Sequence, residues 1–485
     1  MASHSLDRRD LLAGATLLGG FGLLPTLTAA QDAAPPAAAA AAAPTVLPAR
    51  GEFVVRRAKV LTMDPQLAEL DNGDVHVRGG VIIAVGSNLE APGAEVVDGS
   101  GLLCMPGFVD THWHLWTSLL RPIIRADDPR YGYFPVTERL GQYYRPEDSY
   151  RAVRLGLAEA LSAGATTVHN WAHNVRSPSH ADAELRAMRD SGIRGRFAYG
   201  DPQGASNTQP MDIADLARVK REWMPNDGML TLGICSRNVG KDPNPLRGNI
   251  TTELAKKEWS AARELGLPIT LHTSGPSVVK LLEEAGLLGP DVQLVHPLLT
   301  DAEDRAILAK RDTSYSTSPI GELRRPASAG DTQLGELLEA GVRVSFSIDH
   351  ITTYDCDYSG IMRTAYSTHL HRLGDRIKLT SRRLVEIATI GGARDLGLSD
   401  KIGSLTPGKR ADLILIRMSD PNLVMMGDPY EALVSLAQPA NVDTVVVDGR
   451  ILRRGGRFTS LDHAQIVQEA TESARDLRSR AAWPS

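Results

Sequence analysis

The run Pro106-Gly107-Phe108-Val109-Asp110-Thr111-His112-Trp113-His114 ends an apolar stretch with two histidines at i and i+2. On a strand those positions face the same side, so His112 and His114 can bring two imidazoles to one cation. A lone His-x-His also arises by chance on a surface, so its company decides the reading. His272 ends the apolar run PITLH, His296 ends VQLVH, and Asp349 ends VRVSFSID. A core histidine satisfied by backbone would explain any one of these alone. Four apolar runs that each end in an imidazole or a carboxylate read better as one site. Three imidazoles and a carboxylate suit Zn²⁺ and leave Fe²⁺ or Mn²⁺ open.

Other residue types near these run ends suit substrate contacts. Trp116 belongs to an aromatic-rich stretch, 113–134, that can cover a planar substrate or simply pack a long loop. His173 follows the run ATTVHNWA and can touch substrate or hold a loop. Arg237 can pair with a substrate carboxylate or form an ordinary salt bridge. Glu322, just past the run TSYSTS, can reach inward or stay a solvated loop carboxylate. His350, next to Asp349, should point away if the strand continues.

The elements that position these residues follow a regular alternation. Eight strands are predicted at Leu103–Asp110, Thr166–Asn170, Gly195–Gly200, Met229–Ile234, Pro268–His272, Val292–His296, Thr313–Ser318 and Val342–Asp349. Amphipathic segments at 146–163, 181–191, 211–224, 251–265, 277–285, 301–310, 332–340 and 380–396 predict the intervening helices. Several open on an Asp or Thr cap and stop at glycine, as at Gly164, Gly192 and Gly266. Eight strand–helix units make a (β/α)₈ barrel, an α/β architecture whose sites lie at the C-terminal strand ends. Val-rich runs at 53–61, 74–85, 95–104, 411–417 and 442–452 predict a small β-sandwich built from both termini.

With these residues in place, the chain resembles the amidohydrolase superfamily, in its cytosine deaminase and aminohydrolase branch, over residues 51–456. The stretch Lys401-Ile402-Gly403-Ser404-Leu405-Thr406-Pro407-Gly408-Lys409-Arg410-Ala411-Asp412 is similar to the family's return into its small β-domain. The resemblance implies that His112, His114, His272 and Asp349 are metal ligands and that His296 polarises water or substrate. Relatives with two metals carry a carboxylated lysine at the end of strand four. Here Gly233-Ile234-Cys235-Ser236-Arg237 has none, which implies one divalent ion, with Cys235 a small packed residue. The branch also has His-x-x-Glu on strand five, where the Glu shuttles protons to the leaving amine. Here His272-Thr273-Ser274-Gly275 puts a glycine at that place. The expected function is therefore hydrolysis of a C–N bond in a cyclic amide, amidine or amino-heterocycle. Asp349 would take a proton from water and His296 would support the developing charge. Gly275 keeps open a reaction that needs no such shuttle, dehalogenation or decarboxylation, and a binding protein without turnover is a third reading.

Composition bounds the rest. The chain has 485 residues, 42% apolar and 23% charged, which excludes a disordered chain. A net charge of −5 supplies no basic field for nucleic acid. Three cysteines far apart make no disulfide framework. Residues 1–30 hold Arg8-Arg9, an uncharged run Leu11–Leu27 and the small residues Thr28-Ala29-Ala30. That order predicts a signal peptide of twin-arginine kind and export to the periplasm or beyond, with no permanent membrane anchor. Residues 31–50 read as an Ala/Pro-rich linker, 51–105 and 399–456 as the two parts of the sandwich, 106–398 as the barrel and 457–485 as a helical tail. The expected partner is a small-molecule substrate, and the resemblance adds a homo-oligomer as an expectation.

Overall fold

A computed structural model describes residues 46–483 apart from 126, 242–248, 274, 297, 326–329, 377 and 425–426. The signal and linker expected at 1–45 lie outside the described residues. Among those described, eight parallel strands pair in chain order: Phe108–Trp113, Ala165–Ala172, Arg194–Tyr199, Leu230–Cys235, Ile269–His272, Val292–Val295, Ser314–Thr317 and Val344–Phe346. Every residue of the first two is buried. Burial on both faces is why these strands appear in sequence as continuous apolar runs rather than alternating ones.

Helices follow the strands at Pro146–Ser162, Pro178–Ser191, Ile213–Trp223, Thr252–Glu264, Val278–Glu284, Ala302–Arg311, Leu334–Glu339 and Ser381–Glu386. Thr251 Oγ1 accepts from Leu254 N at 3.3 Å, and Asp301 and Asp304 cap each other's backbone. Gly192 ends its helix at φ 72°, a left-handed turn that a side chain would strain.

The ring closes through backbone groups of the candidate site itself. Asp349 N donates to His112 O at 2.9 Å, and His114 N donates to Asp349 O at 2.7 Å. Asp110 reinforces this seam: its Oδ2 accepts from Ile348 N at 2.8 Å and from Tyr358 Oη at 3.0 Å.

The termini meet in a nine-stranded mixed sheet, where Leu413–Arg417 pairs antiparallel with Leu102–Pro106. The strand expected across Leu103–Asp110 is split at Gly107 between this sheet and the barrel. A Cβ on Gly107 would lie 2.1 Å from Thr166 Cγ2, so only glycine lets the chain cross there. Two helices at Tyr133–Gly141 and Tyr358–Leu373 were not foreseen. The first starts at the end of the aromatic-rich stretch 113–134, and the second lies past strand eight, where no element is predicted. Polar Ser, Thr and His interrupt the apolar stripe of the second. The tail helix His463–Arg480 packs on Pro146–Ser162, where Arg154 Nη1 meets Glu469 Oε2 at 2.8 Å. No described helix is long and apolar enough to cross a membrane.

Candidate active site

The C-terminal ends of strands one, five, six and eight bring the expected residues together. Donor atoms of His112, His272, His296 and Asp349 all lie within 4.8 Å of one another. His114 stands outside that quartet, yet its Nε2 is 3.3 Å from Asp349 Oδ1. His112 Nε2 lies 3.3 Å from both Asp349 Oδ1 and His272 Nε2. His296 Nε2 is 3.6 Å from Asp349 Oδ2.

His296 and Asp349 reach the cluster by leaving the strand conformation. Their φ angles are 66° and 68°, the left-handed region that non-glycine residues rarely adopt. Such backbone persists where surrounding bonds hold it, commonly at functional sites. Here His296 N donates to Ser316 O at 3.0 Å and Asp349 is pinned in the barrel seam. The turn at Asp349 also explains why His350 does not point away. Its ring lies 5.2 Å from Tyr133 and 4.9 Å from Tyr354, at the rim of the site.

Burial dominates the electrostatics. It pulls His112 and His114 down to about 3 and His272 well below its ordinary 6.5. Burial pushes Asp349 upward, but His296 and the hydrogen bonds from His112 and His114 outweigh it and hold the carboxyl well below 3.8. The imidazoles of His112, His114 and His272, held neutral by burial, thus face an ionised carboxylate. One proton on His112 Nε2 can serve only one of its two neighbours, and His296 Nε2 is buried without a hydrogen-bond partner. A cation among these lone pairs satisfies all of them, so the donor set fits a divalent metal.

Glu322 lies behind His296. It is 2% exposed, and its Oε1 accepts from His296 Nδ1 at 3.1 Å and from Ser318 N at 2.9 Å. Its Oε2 accepts from Thr317 Oγ1 at 2.8 Å. Burial pushes Glu322 up, but His296 and these donors hold it below 4.5. A carboxylate accepting at Nδ1 keeps a proton on that nitrogen and turns His296 Nε2 toward the cluster.

The expected substrate contacts fare differently. His173 is at the mouth, its ring 4.3 Å from that of His114. Trp116 is fully buried, its ring 5.2 Å from that of His173. Arg237 is engaged by Glu258, by Asp201 Oδ2 at 3.3 Å and by Gln209 O at 2.9 Å, so its guanidinium holds loops together. Glu322 is consumed by protein donors, as just described. Cys235 packs with Trp171, Ala198 and Val295, and burial raises its thiol well above 9.

Two residues escaped the sequence reading. Trp171 forms the floor, its ring 4.2 Å from His112 and 4.3 Å from His272. Its place two residues past His169 on a buried strand was the available signal. Asp110, two residues before the His-x-His pair, accepts from His112 N at 3.0 Å while burial pushes it up to about 8. A Cβ on Gly275 would meet Val278 Cγ2 at 3.5 Å, an ordinary contact, so a small side chain fits there.

Known proteins resemble this chain in sequence and fold. The amidohydrolase family pattern matches residues 103–452. A 5'-deoxyadenosine deaminase of Methanosarcina acetivorans is 28% identical over 89% of this chain and 99% of its own. A zinc-bound adenosine deaminase of Xanthomonas campestris superposes with TM-score 0.78 at 21% identity, covering 88% of this chain and 99% of its own. A zinc complex of atrazine chlorohydrolase from Arthrobacter aurescens superposes with TM-score 0.75 at 22% identity, covering 87% and 100%.

Proposed function

The chain belongs to the amidohydrolase family, and we propose that it is a mononuclear metal-dependent hydrolase of a C–N bond in a small molecule. The observation that carries this reading is the convergence of His112, His114, His272, His296 and Asp349 at the strand ends. His112, His114, His272 and Asp349 would hold the ion, Zn²⁺ by their chemistry. When bound, a divalent ion supplies Lewis acidity and lowers the pKa of water toward about 7. The buried Cys235, and the lack of lysine at the end of strand four, support a single ion.

Asp349 is ionised and takes up a proton from the attacking water. His296 Nε2 is a second acceptor, and Glu322 Oε1 stabilises the imidazolium through Nδ1–H. This pair stands in for the strand-five carboxylate that Gly275 replaces, and returns a proton to the leaving nitrogen. Trp171 beneath the cluster and Tyr133 and His350 at its rim limit water around the reacting atoms. The adenosine-type deaminases among the relatives favour an amino-heterocycle over a cyclic amide or an amidine.

A second reading stays in the fold: a leaving group that needs no proton, such as halide or CO₂. Gly275 and the chlorohydrolase likeness favour it. A screen of metal-loaded enzyme against aminopurines, cyclic amides and chlorotriazines separates the two. Ammonia or amine release supports the first, and halide or CO₂ without ammonia replaces it with the second. Near-stoichiometric metal with no product from any class overturns both.

The N-terminal order of residues also supports export by a twin-arginine route. Replacing both Arg8 and Arg9 by lysine should leave the protein inside the cell, and unchanged export refutes the route.

A further inference from the structure

At the opposite end of the barrel lies a second cavity, of about 120 Å³, lined by His169, Arg196, Gln293, Arg343 and Asp395. At roughly 30 Å³ per water, that is room for about four waters or one small polyatomic ion. The exposed Arg394 and Gly397 also line it, so it opens to solvent. Trp171, Ala198, Cys235 and Val295 pack as an apolar layer between this cavity and the metal ligands. The separation follows strand periodicity: His169 and Trp171, Arg196 and Ala198, Gln293 and Val295 are each two residues apart on inward-facing positions.

Arg196 is the feature that requires explanation. Its Nη2 donates to Leu396 O at 2.5 Å, but its Nε is buried without a partner. Among the described residues no carboxylate forms an ion pair with it. Arg343, which shares the cavity, is by contrast paired with Asp312 at 2.7 Å and Asp395 at 3.4 Å. Burial pulls Arg196 down to about 10. Arg196 is half-buried, and cations drawn away from water in folded proteins are ordinarily paired.

Two more orphaned atoms flank it. Gln293 is 5% exposed, its Oε1 accepts from Thr270 Oγ1 at 3.3 Å, and its Nε2, beside the His169 ring, makes no close hydrogen bond. His169 is 1% exposed and Nδ1–H donates to Thr111 O at 2.9 Å, so its unpartnered Nε2 is an acceptor. The cavity thus offers a guanidinium, an amide donor and an imidazole lone pair, beside the carboxylates of Asp291 and of Asp395, whose Oδ2 also lacks a partner.

We propose that this basal cavity binds a small oxyanion that carries a hydroxyl group, inorganic phosphate in class. Its oxygens would accept from Arg196 and Gln293 while its hydroxyl donates to His169 Nε2. Sulfate, ionised throughout, satisfies only the first two. The ion would tie strand three to the 394–397 turn beneath the barrel and stabilise the folded chain by mass action.

The test is thermal unfolding of the metal-loaded protein in phosphate, sulfate or chloride at matched ionic strength. A saturable rise in Tm of at least about 2 °C is expected with phosphate, less with sulfate and none with chloride. Arg196→Gln should abolish the oxyanion effect and leave kcat unchanged. Should that variant fold poorly, Gln293→Leu should weaken phosphate stabilisation several-fold, and phosphate-soaked crystals should show the ion against Arg196. A phosphate effect no larger than that of chloride, or one that persists undiminished in Arg196→Gln or Gln293→Leu, overturns the proposal. So does an ion found only at the metal end. Equal effects of sulfate and phosphate overturn the part assigned to His169.

Discussion

At the mouth of the barrel, neutral imidazoles and an ionised carboxylate turn lone pairs toward one point; at its base, Arg196 and Gln293 turn N–H groups toward another. The same strands supply both ends. Two residues along strand two, three or six carry the chain from the basal cavity, at His169, Arg196 or Gln293, into the apolar layer that floors the mouth. Burial acts on the two ends in opposite senses. At the mouth it strips protons from imidazoles and leaves acceptors for a cation. At the base it leaves a guanidinium short of a counter-charge. One scaffold thus separates opposite chemistries by about one layer of side chains.

The largest effect expected is at the mouth. His112→Ala should remove bound metal and lower kcat/KM by on the order of 10³-fold, as should chelation. If the two ends are independent, phosphate stabilisation at the base should survive this change. Metal content by elemental analysis and the Tm difference between phosphate and chloride report the two separately, and joint loss would break the comparison.

A smaller change tests how the mouth is organised. Glu322→Gln should lower kcat about 10- to 100-fold with metal content and KM little altered, the scale typical of residues that orient a first contact. Loss of metal instead would make His296 a ligand rather than a proton acceptor.

The smallest effect lies beside the barrel wall, at Glu184. Its Oε2 accepts from Asn170 Nδ2 at 2.8 Å, and burial raises it from 4.5 to about 8. A carboxyl raised on folding contributes stability that is complete below pH 4.5 and lost as pH rises through about 8. Glu184→Gln should flatten that decline in denaturant midpoints measured from pH 5 to 9. A wild-type midpoint that does not fall across this range would contradict it.

Much of the site was legible in advance because a strand of period two ending at a barrel mouth allows few places for a ligand. His112, His114, His272, His296 and Asp349 stood out for that reason. Arg237, Trp116 and Glu322 were less legible because their types suit substrate contacts, packing or ion pairs equally well in any loop. Their partners came from the fold: Glu258 and Asp201 hold Arg237, and His296, with Thr317 five residues away, holds Glu322.

Residue type and local period alone thus determined an alternating α/β chain with cation-binding side chains at its strand ends, since both depend on neighbours a few positions away. Closure of the ring decided the rest. It placed Asp349 against strand one and joined the two ends of that seam through backbone bonds. It held His296 and Asp349 in a backbone conformation that neither would adopt unsupported. It also enclosed Arg196 at the base. Each of these depends on contacts between residues tens to hundreds of positions apart, and only the packed barrel brings those residues together.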